Sequence, residues 1–284
     1  MSQLSPLHAL YDAVDGAAVP LPSELSDVYG PLHFLSQPGR AWVIANFVET
    51  LDGVVSLGAT GRGGGSEISG ASREDQMVMG LLRAVADAVV VGAGTHRAVP
   101  NHLLTPEGIF PPLASAYQQL RRRLGKLASP LCVVVSARGE VDLGRRMFAS
   151  GEVQSLVVTT VEGEQRMVGQ RAPSPSTRLA ATAQSGPIRA QTVLEAIQAA
   201  RPCEVILVEG GPHLLADFLG EHLVDELFLT LAPQVAGRDG SGERPGLVAG
   251  RLFAPEHPLW GRLTEVRMAG SHLFLRYGFS ATSR

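Results

Sequence analysis

Short apolar runs recur along this chain and constrain its fold more than any other feature. Residues 87–91 show the pattern, because the run is wholly apolar after Asp87 and is followed by Gly92. A strand reads as a continuous apolar run when both faces of its sheet are covered, as in parallel sheets. The other runs are residues 41–47, 131–135, 156–160, 204–208 and 226–231. Because most runs alternate with helix-like segments, the sequence predicts an α/β fold with a mostly parallel central sheet flanked by helices.

Helix and turn signals fill the segments between these runs. Ser72 is a favourable residue to open a helix, and Glu74 and Asp75 follow in the first turn, where the helix dipole favours acidic groups. Residues 162–177 are polar and contain Pro173 and Pro175, so we expect a surface loop there. Further helices are predicted at residues 7–14, 114–124, 192–200 and 214–219. Residues 264–269 and 273–279 predict an antiparallel C-terminal strand pair.

The chain is predicted to form one domain preceded by an extension. Residues 1–38 contain scattered prolines and short apolar pieces, so we expect an N-terminal extension that wraps over the surface. Residues 39–284 contain every predicted strand, with no internal repeat and no clear linker. A glycine-rich loop at residues 58–70 follows the first strand.

Composition argues against several classes of function. Lys and Arg total 24 against 27 Asp and Glu, and no basic run exceeds residues 121–123, so the chain has no footprint for nucleic acid. Cys132 and Cys203 lie in or beside apolar runs, which favours buried free thiols over a disulfide or a zinc site. No apolar run approaches the roughly 18 residues of a membrane span. The first residues lack the pattern of a signal peptide. We predict a cytoplasmic protein without a metal site.

Ligands of open α/β sheets bind at the carboxyl ends of strands, and two such ends here are glycine-rich. Gly92-Ala93-Gly94-Thr95 begins like a dinucleotide fingerprint, but Arg97 stands where a third glycine is expected, and the proline-rich stretch after it predicts no clean helix. These glycines either turn the chain tightly or let amides and the Thr95 hydroxyl reach a phosphate or ribose.

The second glycine-rich end is Glu209-Gly210-Gly211-Pro212-His213. Its glycines allow the backbone to approach a ligand, and the helix that follows presents free N–H groups to an anion such as pyrophosphate. A carboxylate at the end of a buried strand needs a partner, so Glu209 either binds a ligand or accepts hydrogen bonds from loop amides. We expect His213 to cap the helix or to line the pocket.

Two further strand ends carry polar side chains. Asp52-Gly53, within Thr50–Gly53, is a strong turn signal, and such a turn can also close over a cofactor. Ser136 and Arg138 follow the strand at residues 131–135. Their hydroxyl and guanidinium groups could bind a ribose 2′-phosphate and select NADP over NAD, although Arg138 could equally be a solvated surface residue.

In this order, the segments resemble the reductase family of riboflavin biosynthesis, which has the dihydrofolate-reductase-like fold, in its stand-alone pyrimidine reductase type. The resemblance covers residues 41–279. It rests on TLDG at residues 50–53, on LR at 82–83 and DA at 87–88, and on VEGGP at 208–212 followed by LVDEL at 223–227 and AP at 232–233. It implies NADPH as hydride donor, the ribosylaminopyrimidinone phosphate 5-amino-6-(5-phosphoribosylamino)uracil as acceptor, and a homodimer.

The resemblance also implies roles for single residues. Arg83 and Glu209 would face the substrate, and Leu103 would line its site. Glu209 and Asp52 are the candidates for supplying a proton during hydride transfer, with water as an alternative. NADPH contacts are implied at Val48, Thr50, Gly92, Thr95, Ser136, Gly210, Gly211, Pro212, His213 and Leu214.

The substrate side of the family pattern is less complete than the cofactor side. No acidic pair precedes Pro100, and no arginine follows Leu103, where the family carries one for the substrate phosphate. Arg97 is the alternative cation. Three functions therefore stay open: the riboflavin-pathway reductase, a paralogue on the same scaffold that reduces dihydrofolate or another pterin or pyrimidine ring, and a non-catalytic NADP-binding protein.

Overall fold

The computed structural model describes residues 4–35, 39–58, 64–99, 101–240 and 243–279. Its strands are β1 (His8–Asp12), β2 (Ala17–Ala18), β3 (His33–Phe34), β4 (Trp42–Glu49), β5 (Ala88–Gly92), β6 (Leu131–Ser136), β7 (Ser155–Thr159), β8 (Thr177–Ala181), β9 (Val205–Val208), β10 (Glu226–Leu231), β11 (Arg262–Ala269) and β12 (His272–Gly278). Its helices are α1 (Ser23–Tyr29), α2 (Gly65–Ile68), α3 (Arg73–Val85), α4 (Ala93–Ala98), α5 (Pro106–Ile109), α6 (Ala114–Arg123), α7 (Arg146–Ala149), α8 (Val161–Gln170), α9 (Ala190–Ala200) and α10 (Pro212–Gly220).

Ten strands form one sheet in the order β1-β11-β12-β10-β4-β9-β5-β6-β7-β8. Neighbours from β10 to β8 are parallel, whereas β10–β12, β12–β11 and β11–β1 are antiparallel. The predicted α/β fold with a mostly parallel sheet and an antiparallel C-terminal strand pair is confirmed. The parallel arrangement brings the carboxyl ends of β4, β9, β5 and β6 to one edge.

Two apolar cores cover the opposite faces of this sheet. Within β5, Val89 and Val91 belong to one core, whereas Ala88 and Val90 belong to the other. All four side chains are at most 2% exposed. Burial on both faces explains why the strand has a continuous apolar sequence.

Helix α3 connects the site edge of the sheet with the opposite edge. It begins after Ser72, whose Oγ accepts a hydrogen bond from the Asp75 backbone N–H at 3.2 Å. Its buried residues include Met77 and Leu81, which pack in the first core. Because α3 follows the loop after β4 and leads into β5, its first turn lies near the carboxyl ends of the strands.

The predicted helix at residues 7–14 is wrong. Residues 8–12 form β1, which pairs with β11 and places Tyr11 opposite Val266. The side chains of β1 are exposed, so the short apolar pieces belong to an edge strand, whose formation depends on its neighbour rather than on helical periodicity. Tyr29 of α1 is buried and donates a hydrogen bond to Glu265 at 2.9 Å. The predicted boundary between extension and domain falls at residues 36–38, outside the described residues, and remains a prediction.

The surface loop predicted at residues 162–177 is also wrong over most of its length. Thr160 caps α8 by accepting a hydrogen bond from the Gly163 N–H at 3.0 Å, and Pro173 follows the helix rather than interrupting it. Other boundaries shift by smaller amounts: α9 begins at Ala190, and the short helix α4 follows β5 directly, where no clean helix was expected. In the glycine-rich loop, residues 59–63 lie outside the described residues.

Candidate active site

Three loops and the start of α4 meet at the carboxyl edge of the sheet. They follow β4, β9, β5 and β6, which are adjacent in that order. Since neighbouring strands lie about 4.8 Å apart, these segments form one continuous row. The structure therefore brings together the four strand ends that the sequence analysis identified.

The glycines after β9 lie directly against the end of β5 and the start of α4. The Gly92 N–H donates to the Gly210 carbonyl at 2.8 Å. A Cβ atom on either Gly210 or Gly211 would lie 3.3 Å from the Thr95 Oγ1. Gly210 has a φ of 134°, which L-residues rarely adopt, and the Gly210–Gly211 peptide bond is cis. The Thr95 hydroxyl and the first turn of α10 thus converge on one bare stretch of backbone.

Gly94 adds an open position beside this stretch. Apart from its chain neighbours and its own helix backbone, no atom of the described residues lies within 4 Å of a Cβ atom built on Gly94. The space over this residue is therefore free for a ligand that approaches the backbone closely. That feature fits a nucleotide cofactor, whose phosphates need access to backbone N–H groups.

Glu209 and Arg83 form a buried ion pair. The Arg83 Nη2 lies 2.8 Å from the Glu209 Oε2, and each side chain is 3% exposed. The Arg83 Nη1 also donates to the carbonyls of Leu103, at 3.4 Å, and Thr105, at 3.1 Å. The structure thus brings together Arg83, Glu209 and Leu103, the three residues assigned to the substrate. Glu209 finds its partner in a guanidinium rather than in loop amides.

Asp52 anchors the loop after β4. Its carboxylate accepts hydrogen bonds from the Thr50 hydroxyl at 2.6 Å and from the N–H groups of Ala236 and Gly237 at 3.0 and 2.8 Å. The Thr50 hydroxyl and these amides hold the pKa of Asp52 well below its usual range. Because a charged carboxylate has no proton to give, the structure argues against Asp52 as a proton donor. Gly53, at a φ of 75°, completes the predicted turn.

The loop after β6 borders an open cleft of about 320 Å³. Ser136 is buried, and its Oγ accepts a hydrogen bond from the Glu140 N–H at 3.0 Å. Arg138 is mostly exposed and pairs with Glu140 at 2.9 Å. Arg138 and Arg166 line the cleft together with Glu162, and the Arg166 Nη1 donates to the Arg138 carbonyl at 2.7 Å. Arg97, the alternative cation for the substrate phosphate, pairs with Glu140 at 3.4 Å.

The remaining residues assigned to the cofactor differ in their surroundings. Val48 is buried against Ile68. His213 is exposed and lies next to Gly250, where a Cβ atom would come within 2.8 Å of its Nδ1. Leu214 packs in the second core, so its side chain supports the fold and only its backbone can serve a ligand.

Asp75 is a site residue that the sequence analysis did not single out. It was interpreted as a favourable acid in the first turn of α3, but its side chain is only 7% exposed. Burial raises the pKa of Asp75, while the hydroxyl groups of Thr230 and Ser69 lower it. Its position three residues before the buried Val78 was the available signal, because residues i and i+3 share one helix face.

The described part of the chain holds neither a cluster of metal ligands nor a membrane-spanning helix. Within those ranges, no group of three or more His, Cys, Asp or Glu side chains could hold a metal ion. Within the same ranges, no helix combines the length and apolar character needed to cross a bilayer.

The sheet order and the glycine-rich carboxyl edge place this protein in the class of α/β proteins with the dihydrofolate-reductase-like fold. Residues 41–256 match the family model for the RibD C-terminal domain. The chain belongs to this family, and the resemblance identified from the sequence is confirmed.

Curated relatives share this region. The 2,5-diamino-6-ribosylamino-4(3H)-pyrimidinone 5′-phosphate reductase of Archaeoglobus fulgidus is 27% identical over 248 residues, which cover 86% of this chain and 98% of the relative. The riboflavin biosynthesis protein RibD of Chlamydia trachomatis is 30% identical over 212 residues, covering 74% of this chain and 50% of that protein. The chain thus spans about half the length of RibD relatives.

Solved structures show the same fold at low sequence identity. A pyrimidine reductase-like protein from Corynebacterium diphtheriae superposes with a TM-score of 0.64 at 22% identity, covering 90% of this chain and 98% of the other. RibD from Acinetobacter baumannii gives a TM-score of 0.63 at 20% identity, covering 86% of this chain and 59% of that one.

Proposed function

We propose that this protein is an NADPH-dependent reductase that acts on a ribosylaminopyrimidinone phosphate in riboflavin biosynthesis. The observation that carries the proposal is the junction of the Thr95 hydroxyl with the bare backbone of Gly210 and Gly211, in a chain of the RibD C-terminal domain family. A nucleotide phosphate needs this combination of accessible amides and a hydroxyl group.

The order of the strand ends suggests one orientation for the cofactor along this edge. Its nicotinamide end would lie near Val48 and Glu209, its pyrophosphate over Gly94 and Gly211, and its adenosine at the cleft after β6. Arg138 and Arg166 line that cleft beside Glu162, and a 2′-phosphate would pair with these guanidinium groups in competition with the Glu140 carboxylate that now holds Arg138. When bound, NADPH supplies the hydride.

The protein's own residues position the reactants rather than form covalent bonds to them. Arg83 holds Glu209 at the end of β9 and also fixes the backbone at Leu103 and Thr105, so one guanidinium organises the substrate side. Asp52 fixes the turn after β4 against Ala236 and Gly237, which keeps that side of the crevice closed. Such positioning is the main contribution of a protein to hydride transfer.

The position of Arg97 favours a second candidate, a paralogue that reduces dihydrofolate or a related ring without a phosphate. The cation expected near Leu103 for the substrate phosphate is instead paired with Glu140 at the loop after β6. We also propose a cytoplasmic homodimer, on the resemblance alone.

Turnover measurements test these proposals directly. The purified chain is mixed with NADPH and, in separate reactions, 2,5-diamino-6-ribosylamino-4(3H)-pyrimidinone 5′-phosphate, 5-amino-6-(5-phosphoribosylamino)uracil and dihydrofolate, and NADPH oxidation is followed by absorbance. We expect oxidation with one of the two phosphorylated pyrimidines and none with dihydrofolate. Oxidation with dihydrofolate alone would establish the paralogue. NADPH binding without oxidation in any mixture would leave only a binding protein.

A further inference from the structure

Asp75 is a buried acid near the site edge whose surroundings differ from those of Glu209 and Asp52. The Glu209 carboxylate is paired with Arg83, and the Asp52 carboxylate is held by Thr50 and two amides. No ion pair within the described residues includes Asp75. Its side-chain hydrogen-bond partners are the hydroxyl groups of Thr230 and Ser69. Because a hydroxyl can donate to a carboxylate or accept from a carboxylic acid, this environment suits a group that changes protonation state.

Asp75 also lies beside the space assigned to the reaction. Its neighbour Thr230 on β10 pairs with Val48 on β4, the strand that leads into the site. Glu209 is near enough to influence the pKa of Asp75. Asp75 and Arg83 stand on the same helix, eight residues or about 12 Å apart along its axis. Helix α3 therefore carries both Asp75, in its first turn, and Arg83 of the ion pair, in its last turn, on the substrate side.

The charged groups that face Asp75 come from two other elements. His272 on β12 is next to Ser69, whose carbonyl lies 2.9 Å from the His272 Nε2. Glu209 lies at the end of β9. On its own helix, Arg73 stacks over Phe110, and Glu74 accepts a hydrogen bond from the Ser5 N–H. Burial is the strongest influence on Asp75 and raises its pKa, with Glu209 acting in the same direction and His272 against it.

We propose that Asp75 is the general acid of the reduction. This rests on the proposed function, in which the C=N bond of the ring-opened ribosylamine is reduced. A hydride adds to the carbon, the π electrons of the C=N bond form a new N–H bond with the Asp75 proton, and the Asp75 O–H bond breaks. NADPH is oxidised by two electrons, and the Asp75 carboxylate regains a proton from water before the next turnover.

Asp75→Asn tests the proposal, and Glu74→Gln is its matched control. Both changes replace a carboxyl group in the first turn of α3 by its amide, but Asp75 is buried beside Thr230, whereas Glu74 accepts a hydrogen bond from the Ser5 N–H. We expect Asp75→Asn to slow single-turnover hydride transfer by about 100- to 10,000-fold, the range for loss of a general acid. NADPH affinity, measured by fluorescence titration, should stay unchanged in both variants. A rate for Asp75→Asn equal to that of Glu74→Gln overturns the proposal.

The pH profile provides a readout that a merely structural residue does not move. Wild-type kcat should fall as pH rises through the pKa of Asp75, and Thr230→Val should shift this fall to higher pH, because the Thr230 hydroxyl lowers that pKa. An unmoved profile refutes the assignment, even if Asp75→Asn fails to fold.

Infrared spectroscopy separates this proposal from the proposed function. A protonated-carboxyl band present in the wild-type apoprotein at neutral pH and missing in Asp75→Asn supports the acid, whatever the substrate is. If the wild type reduces no pyrimidine while the band is present, the proposed function fails and the protonated Asp75 stands. If the pyrimidine is reduced and the band is absent, the assignment of Asp75 fails alone.

Discussion

Replacing Arg83 with methionine removes the charge of the buried guanidinium while keeping much of the side-chain volume. Arg83 and Glu209 are each 3% exposed, so the variant leaves an uncompensated carboxylate in the interior. Breaking a buried ion pair in this way costs about 3–5 kcal/mol. The carbonyls of Leu103 and Thr105 lose a donor as well, which adds to the loss. We therefore expect the free energy of unfolding to fall by at least about 3 kcal/mol.

The chain offers a control with the same chemistry at the surface. Arg97 and Glu140 form an Arg–Glu pair at 3.4 Å, but their side chains are 49% and 39% exposed. Solvent screens such a pair, so Arg97→Met should change stability by less than about 1 kcal/mol. Urea unfolding followed by circular dichroism gives both values under identical conditions.

The double variant Arg83→Met/Glu209→Leu tests whether the unpaired carboxylate causes the loss of stability. It removes the buried charge that the single Arg83 variant leaves behind, and apolar replacement of a whole buried pair is often neutral in stability. We expect it to be more stable than Arg83→Met and yet inactive, with NADPH affinity retained. If Arg83→Met is no less stable than Arg97→Met, the pair does not organise the site, and the reasoning about its burial is refuted.

Three further predictions concern the cofactor, acid stability and the thiols. Gly94→Val should abolish NADPH binding measured by fluorescence, whereas Gly169→Val, at a helical glycine with equally open space, should bind normally; equal affinities would place the cofactor elsewhere. Burial, with Arg145 nearby, lowers the pKa of His96 from 6.5 to about 4, so stability present above pH 6.5 is lost as pH falls, by about 3 kcal/mol at pH 4. Urea midpoints at pH 7 and pH 4 should differ less for His96→Leu than for wild type or the exposed His257→Leu. Burial raises the pKa of both cysteine thiols to about 12, so a thiol reagent at neutral pH should label neither until denaturant is added.

The parallel strands could be predicted from the sequence because a strand buried on both faces is apolar at consecutive positions. The run at residues 226–231 corresponds to β10 with the same bounds. The edge strand β1 could not be predicted, because its pairing depends on β11 at the other end of the chain and its own side chains are exposed. Pro173 led to the wrong prediction at residues 162–177. Helix α8 begins after its N-cap Thr160 and ends before Pro173, so the proline does not interrupt it.

The candidate site, like the fold, could be predicted from the sequence only where the signal is local. Glycines and motif residues at strand ends identify it, because backbone access and strand termini are local properties of sequence. The partner of Glu209 is not local, since Arg83 lies 126 residues away and a late helix position typically holds a solvated cation. Only the resemblance to a known family connected these two residues before the structure placed them in contact.

The acids at this edge show why residue type alone could not assign the proton donor. Asp52 meets a hydroxyl and two amides that all donate to it, Glu209 meets a guanidinium, and Asp75 meets hydroxyl groups in a buried position. The donors around Asp52 favour its charged carboxylate, whereas burial disfavours the charged form of Asp75. Neighbouring acids whose surroundings separate their protonation states can divide acid and anchoring roles within one site. Asp75, which belongs to none of the motifs, is therefore the acid whose surroundings suit proton transfer.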